Sequence, residues 1–313
     1  MSFFWQKSYR QCNVFKKYVP FLVFLFSYFL PKRLGQIKSK LICYNVEIEK
    51  STIGKWRDTM ADLEKIVARP LITITNLIWS FNKETSKVQL LLIRRKDEPF
   101  AGQWALPETL LREKESADQA AVRLIKDKIG LDLPESSTEQ LATFTSPDRA
   151  PGERALALTY MTYLPAMPAL RPGYGASAVD WFSFENFGHK YELTSGNEGL
   201  TFILAQDSRA LAFDHDEIVA VAIQRIRNKL DYQPTILQIL GPSFTLRQAR
   251  EVYAPFFQTS VDKIDNSNFR KTHGFLFTEL GVQKNFHKSG RPPKLYCLKN
   301  LQNNILWSKV DVK

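Results

Sequence analysis

A helix whose two ends are both marked in the sequence constrains the fold of this 313-residue chain most strongly. Ser116 and Gln119 have the spacing of a capping box, in which each side chain accepts a hydrogen bond from the other residue's backbone N–H. Apolar residues then recur at helical spacing and form one face: Ala117, Ala120, Ala121, Leu124 and Ile125. Gly130 stands where a helix commonly ends in a left-handed glycine. We therefore predict a helix that packs one face against a core.

Strand patterns surround this helix. Residues 71–81 alternate and are rich in β-branched side chains, and residues 88–95 form a second strand pattern after a polar turn. Two further strands are predicted at residues 155–164 and 178–184. Strands that accompany one strong helix indicate a mixed α/β domain, which we place at residues 60–205.

The remainder of the chain has the pattern of three helices and a hairpin. Each predicted helix follows a capping residue, namely Asp214, Thr245 and Asp265. Short strands are predicted at residues 281–284 and 295–299, and a basic loop joins them. This order is that of a winged helix-turn-helix domain. We assign residues 206–313 to a linker helix followed by such a domain.

Positive charge is concentrated at the two ends of the chain, whose net charge is +11. Residues 1–59 hold 11 Lys and Arg against 3 Asp and Glu, and residues 231–313 hold 12 against 6. The residues between them are mildly acidic. A basic C-terminal module is the electrostatic footprint of nucleic-acid binding.

The third helix of a helix-turn-helix lies in the major groove, with its first residues at base edges and nearby cations on phosphates. This geometry predicts DNA contacts for Thr245, Arg247, Asn266, Ser267, Asn268, Arg270, Lys271, Arg291 and Lys294. Phe269, Leu276 and Leu280 are predicted on the core-facing side of the helix. His273 shares that side, so we expect it to pack in the core rather than contact DNA.

The few cysteines and histidines do not have the spacing of a disulfide framework or a zinc site. We therefore expect no structural metal, and a reducing cytoplasm as the compartment. Residues 19–30 form an apolar run that is shorter than the roughly 20 residues needed to cross a bilayer. Three interpretations of residues 1–59 stay open: an extension upstream of a true start at Met60, an interfacial or disordered arm, and a membrane anchor.

The segment from Arg94 to Leu131 resembles a Nudix domain of the ADP-ribose pyrophosphatase-like branch. The matching residues are Arg94-Arg95, Pro99-Phe100, Gly102, Trp104-Ala-Leu-Pro107, Glu115, Arg123 and Gly130-Leu131. The usual Gly-Gly of the family is Glu108-Thr109 here, and three carboxylate positions of its motif are held by Leu124, Asp127 and Lys128. In the family, such carboxylates hold the magnesium that hydrolysis requires. The resemblance thus implies a nucleotide-binding domain that hydrolyses poorly, and we assign it no catalytic or metal-binding residue.

The same resemblance implies an effector pocket around this segment. The candidate effector-binding residues are Arg94, Arg95, Phe100, Trp104, Glu115, Arg123, Arg149 and Arg154. Guanidinium groups suit bidentate phosphate contacts, and aromatic rings can line an adenine site. Structural roles are the alternatives. Trp104 can be a core residue, Glu115 and Arg123 can brace the loop, and only one of the two neighbouring arginines on a strand can face the pocket.

The joined order of a Nudix-like α/β/α sandwich and a winged helix resembles the Nudix-related transcriptional regulators of NAD metabolism, across residues 60–299. The resemblance implies a cytoplasmic bacterial repressor, homodimeric on a palindromic double-stranded operator. Its effector would be ADP-ribose or a related NAD metabolite, with no cofactor required and no membrane partner. The alternatives are an active Nudix hydrolase of ADP-ribose-like substrates, a regulator of sugar metabolism with a sugar effector, and a membrane-tethered binding protein.

Overall fold

The computed structural model describes residues 69–134, 137–188, 190–204, 210–282 and 292–299, which lie within one compact unit that begins at Arg69. The expectations for residues 1–59 and for Arg291 fall outside the described residues. No helix in the described part of the chain is long and apolar enough to cross a bilayer.

A mixed sheet of nine strands forms the centre of the described structure. The strands are β1 Leu71–Asn82, β2 Lys87–Arg95, β3 Trp104–Ala105, β4 Glu108–Leu110, β5 Thr138–Phe144, β6 Ala155–Tyr163, β7 Ala176–Phe187, β8 Lys190–Ser195 and β9 Thr201–Leu204. Their main order is β5-β6-β1-β2-β7-β8-β9, with β3 paired to β2 and β4 to β1. The β1–β6 pair is parallel and the others are antiparallel. The strands predicted from alternation are confirmed, whereas β3, β4, β5, β8 and β9 were not predicted from the sequence.

Both faces of the sheet are covered. Successive side chains of β1 point to opposite faces, and its central residues are buried on both sides. Leu77 and Trp79 belong to the core beneath the C-terminal helices, whereas Ile78 packs with Ile125 and Ile129 of the first helix. This is the predicted α/β/α sandwich.

The first helix, α1, runs over Ala117–Ile129 and has both of its predicted ends. Ser116 and Gln119 form the reciprocal capping box. Gly130 is left-handed, with φ 74°, and its N–H bonds the carbonyl of Lys126. The ends of α1 are therefore determined by residues within and next to it.

The C-terminal part contains three helices and a hairpin in the predicted order. Helix α2 covers His215–Lys229, α3 covers Leu246–Phe256 and α4 covers Asn266–His273, and β10 Phe277–Val282 pairs with β11 Lys294–Leu298. Thr245 forms a capping box with Gln248, and Asp265 accepts from the N–H of Asn268. The winged-helix prediction is confirmed.

Two details of the prediction are wrong. Asp214 precedes α2 but makes no side-chain cap, because its carboxylate is bound elsewhere. Leu280 is not on the core-facing side of a helix: α4 ends at His273, and Leu280 lies on β10 with 52% exposure. His273, however, is packed as expected, with its ring 4.6 Å from that of Phe269.

The left-handed backbone at Gly130 predicts a graded response to substitution. A Cβ there would meet no atom within 4 Å, so only backbone strain opposes a side chain. We expect Gly130→Ala to lower the free energy of unfolding by about 1 kcal/mol, and Gly130→Asn to lower it less, because asparagine tolerates this region. Urea denaturation of the two variants measures both values; equal losses would contradict the conformational explanation.

Candidate functional site

The arginine of the Nudix-like motif holds its remaining acids. Arg123 donates to both oxygens of Glu115, at 2.8 and 2.7 Å, and to Asp127 at 3.2 Å. It also donates to the carbonyl of Leu110 at 3.0 Å and to the hydroxyl of Thr109 at 3.3 Å. The hydrogen bond from Arg123 lowers the pKa of Glu115. The motif loop is thus braced on α1 by one guanidinium group.

The other motif positions do not suit a divalent cation. Leu124 is fully buried, and the buried ammonium of Lys128 donates to the carbonyl of Tyr174. Burial lowers the pKa of Lys128, and the charge of Arg95 lowers it further. Magnesium prefers several oxygen ligands, and an ammonium group repels it. The described residues contain no cluster of three or more His, Cys, Asp or Glu side chains that could hold a metal.

A cavity of about 760 Å³ is lined by the loop between β5 and β6, by residues of β8 and β9, and on one side by the start of α2. The rings of Phe100, Phe213 and Tyr191 contribute to its wall. Its charged lining consists of Asp148, Arg149, Asp214, Asp216 and Glu217. The cavity combines aromatic surface with carboxylates, a lining that suits a small polar organic molecule.

Arg149 ties the loop that follows β5 to the start of α2. Its Nε donates to Asp214 Oδ2 at 3.0 Å and its Nη2 to Oδ1 at 2.9 Å. The side chains are 1% and 10% exposed, so the pair is buried. Arg149 Nη2 also lies 3.8 Å from Glu108 Oε2. One guanidinium group therefore lies between two carboxylates that belong to different elements.

His215 lies beside this cluster. Its Nδ1 accepts the N–H of Leu106 at 3.0 Å, which places the ring proton on Nε2, 3.7 Å from Glu108 Oε2. Glu108 accepts the hydroxyl of Thr75 at 2.9 Å. Burial raises the pKa of Glu108, but His215 and Arg149 lower it more, so the pKa lies below its usual value.

The predicted effector-binding residues occupy different environments. Phe100 and Arg149 line the cavity. Trp104 is a core residue, with its ring 4.9 Å from that of Phe182. Glu115 and Arg123 have the bracing arrangement described above, and their assignment to an effector stays a prediction.

The other predicted arginines donate hydrogen bonds to backbone carbonyls of loops. Arg94 donates to the carbonyl of Gly102, Arg95 to that of Pro99, and Arg154 to those of Thr145 and Ser146. Arg95 also lies over the ring of Phe213, at 4.7 Å from its centroid. The cavity residues Tyr191, Phe213 and Asp214 were missed as site residues because their contribution depends on long-range packing.

Most of the described residues predicted to contact DNA are exposed, and Thr245 and Lys294 are half-buried. The exposed residues of α4 include Asn266, Ser267, Asn268, Arg270 and Lys271. Thr245 caps α3, Arg247 pairs with Glu251 at 3.0 Å, and Lys294 pairs with Glu279 at 2.7 Å. These residues are accessible for the predicted role, which stays a prediction.

The fold and the site define a Nudix domain followed by a DNA-binding winged helix. The model of the NUDIX domain family matches residues 74–201, and the model of the NrtR DNA-binding winged helix domain matches residues 236–298. The chain belongs to the MutT/nudix family. It is 31% identical to a MutT/nudix family protein from Enterococcus faecalis, and the two structures match with a TM-score of 0.66 over 82% of this chain and 96% of that one.

Other relatives span both parts or only the first part of the chain. The ADPR-responsive transcriptional repressor NtrR of Acinetobacter baylyi is 25% identical over 233 residues, which are 72% of this chain and 81% of that protein. The ADP-ribose pyrophosphatase of Methanocaldococcus jannaschii is 28% identical over 160 residues, or 50% of this chain and 77% of that protein. The crystal structure of Shewanella oneidensis NrtR, 24% identical, shares the fold with a TM-score of 0.54 over 74% of this chain and 95% of that chain.

The Arg123–Glu115 pair predicts a pH-dependent stability contribution. Because the pKa of Glu115 is lowered in the folded state, its stabilisation is present above the unfolded value of 4.5 and is lost as pH falls through the folded value. We expect Arg123→Gln to lower the free energy of unfolding by about 1 kcal/mol at pH 7. The difference from the unsubstituted protein should shrink below pH 4.5. Urea denaturation from pH 7 to pH 3 measures it, with the exposed Arg171→Gln as control; a pH-independent difference would contradict this role.

Proposed function

We propose that this protein is a DNA-binding repressor whose Nudix domain binds ADP-ribose, or a related NAD metabolite, and thereby controls the winged helix. The observation that carries the proposal is the shared two-domain architecture. Similarity to the ADPR-responsive repressor of Acinetobacter baylyi extends over 72% of the chain, and both domains match family models. By the same reasoning, its site of action is the cytoplasm and its targets are genes of NAD metabolism.

The arrangement of the motif residues supports binding rather than hydrolysis. Arg123 donates hydrogen bonds to Glu115 and Asp127. Leu124 is apolar, and Lys128 has an amino group where the family has a carboxylate. These positions therefore do not offer the several oxygen ligands that magnesium prefers. The similarity to an archaeal ADP-ribose pyrophosphatase favours the hydrolase alternative, but that similarity concerns the Nudix part alone. We therefore propose that the domain binds its ligand without efficient cleavage and without a required cofactor.

The exposed face of α4 supports DNA binding in the major groove. Asn266 and Asn268 stand in its first turn, where amides can read base edges, and Arg270 and Lys271 follow for phosphates. One such helix covers only a half-site. We propose a homodimer on a palindromic operator, because paired half-sites are the usual requirement of helix-turn-helix repressors.

The first test of the proposal combines DNA binding with hydrolysis. An operator is selected from random duplexes by the purified protein, and its affinity is measured by fluorescence anisotropy with and without ADP-ribose. We expect ADP-ribose to weaken the affinity by about tenfold, which is typical of coupling between two sites. EDTA should not alter this effect. Magnesium-dependent turnover of ADP-ribose without DNA binding would establish the hydrolase instead.

A second test concerns the recognition surface. We expect Arg270→Ala to weaken operator binding by about tenfold and to reduce the slope of log affinity against log salt by about 1, as for loss of one phosphate contact. Lys126→Ala removes an exposed charge from α1 and serves as the control. Equal salt slopes for the two variants would place the DNA surface elsewhere.

A further inference from the structure

Arg149 is buried, and the carboxylates of Asp214 and Glu108 lie next to its guanidinium group. Its side chain is 1% exposed, it binds Asp214 at 2.9 and 3.0 Å, and Glu108 lies 3.8 Å away. Removing one partner of a buried ion pair is strongly destabilising, because it leaves an uncompensated charge. A ligand that disturbs the pair would thus cause Arg149 to exchange partners rather than lose one.

Glu108 is available as the second partner. Its carboxylate accepts a hydrogen bond from Thr75, while Nη2 of Arg149 and Nε2 of His215 stand at 3.8 and 3.7 Å, just outside hydrogen-bonding distance. A shift of about 1 Å would bring Arg149 into contact. His215 is held by the N–H of Leu106, so its Nε2–H continues to face Glu108 during such a shift.

The chemistry of the cavity indicates which ligand group would displace Arg149 from Asp214. Asp214 lines the cavity together with Asp148, Asp216 and Glu217. Carboxylates accept hydrogen bonds from hydroxyl groups and repel phosphates, so this end fits a vicinal diol such as that of a ribose. Asp214 can accept a hydroxyl from the cavity because its carboxylate does not cap α2.

Helix α2 connects this carboxylate to the winged helix. Asp214 immediately precedes the helix, which is 15 residues or about 22 Å long. At its other end, Leu230 accepts the hydroxyl of Tyr253 from α3 at 2.7 Å, and Asp231 lies 3.1 Å from Nε2 of His273 in α4. A change at the first end of α2 therefore reaches α3 and the proposed recognition helix through α2 and the two residues that follow it.

We propose that Arg149 is a two-position switch. Without ligand it pairs with Asp214 and holds the start of α2 to the loop between β5 and β6. When the ribose diol of a ligand donates to Asp214, Arg149 moves to Glu108, the start of α2 is released from the loop, and α4 moves with the helix. The inference rests on the proposed function, because it assigns the ligand group and the residues that couple the two domains.

Two substitutions have opposite expected effects on DNA binding. Asp214→Asn removes the first partner, so it should weaken operator affinity about tenfold without ligand and also weaken ADP-ribose binding. Glu108→Gln removes the second partner, so the protein should remain on the operator when ADP-ribose is added. Glu153 is exposed and lies in the same loop as Arg149, so Glu153→Gln is the matched charge control. Tighter ADP-ribose binding by Asp214→Asn would overturn the inference, since it would mean that Asp214 competes with an anionic group for Arg149.

Hydrogen exchange tests the switch without DNA or ligand. The amides of residues 218–222 are in the first turns of α2, and Asp214→Asn should make them exchange faster than in the unsubstituted protein or in Glu153→Gln. Unchanged exchange would overturn the inference even if the protein binds DNA and ADP-ribose. Faster exchange in a protein that binds neither DNA nor ADP-ribose would support the ion pair between Arg149 and Asp214 while refuting the proposed function.

Inorganic pyrophosphate, which has no diol, should leave the hydrogen exchange unaltered. Faster exchange in its presence would overturn the assignment of the diol.

Discussion

The buried ion pair between Arg149 and Asp214 joins the two parts of the described structure at the cavity. Arg149 comes from the loop before β6, in the Nudix domain, and Asp214 precedes the helix that leads to the winged helix. Because the guanidinium is almost fully buried, the pair is intact only while the loop and α2 keep their relative position. The shape of the cavity and the placement of α2 are thus linked by one interaction.

The Nudix-like motif loop is held by a different set of charged side chains, centred on Arg123. In a magnesium-dependent site, carboxylates face the metal and their mutual repulsion is offset by it. Here Arg123 offsets the charges of Glu115 and Asp127, and Lys128 is bound by the carbonyl of Tyr174. The cation that offsets these carboxylates is therefore a side chain of the protein.

Local signals in the sequence predicted the elements well, and long-range contacts explain the errors. The caps at Ser116, Thr245 and Asp265 were predictable because each depends on residues within one turn. Asp214 has the same local signal, but Arg149, 65 residues earlier, binds its carboxylate. Strands such as β8 alternate weakly in burial, since they lie towards one edge of the sheet. For the same reason the cavity residue Tyr191 carried no recognisable signal.

The charges of the winged helix are not equally available to DNA. Arg247 and Lys294 each have a carboxylate partner, Glu251 and Glu279, within 3.0 Å. A phosphate must compete with that partner, so the net gain from either contact is reduced. Arg270 and Lys271 are exposed in the last turn of α4, and their charges can act on phosphates directly. The affinity for DNA should therefore depend mainly on how α4 is placed. Asp231, two residues beyond the end of α2, contacts this helix at His273.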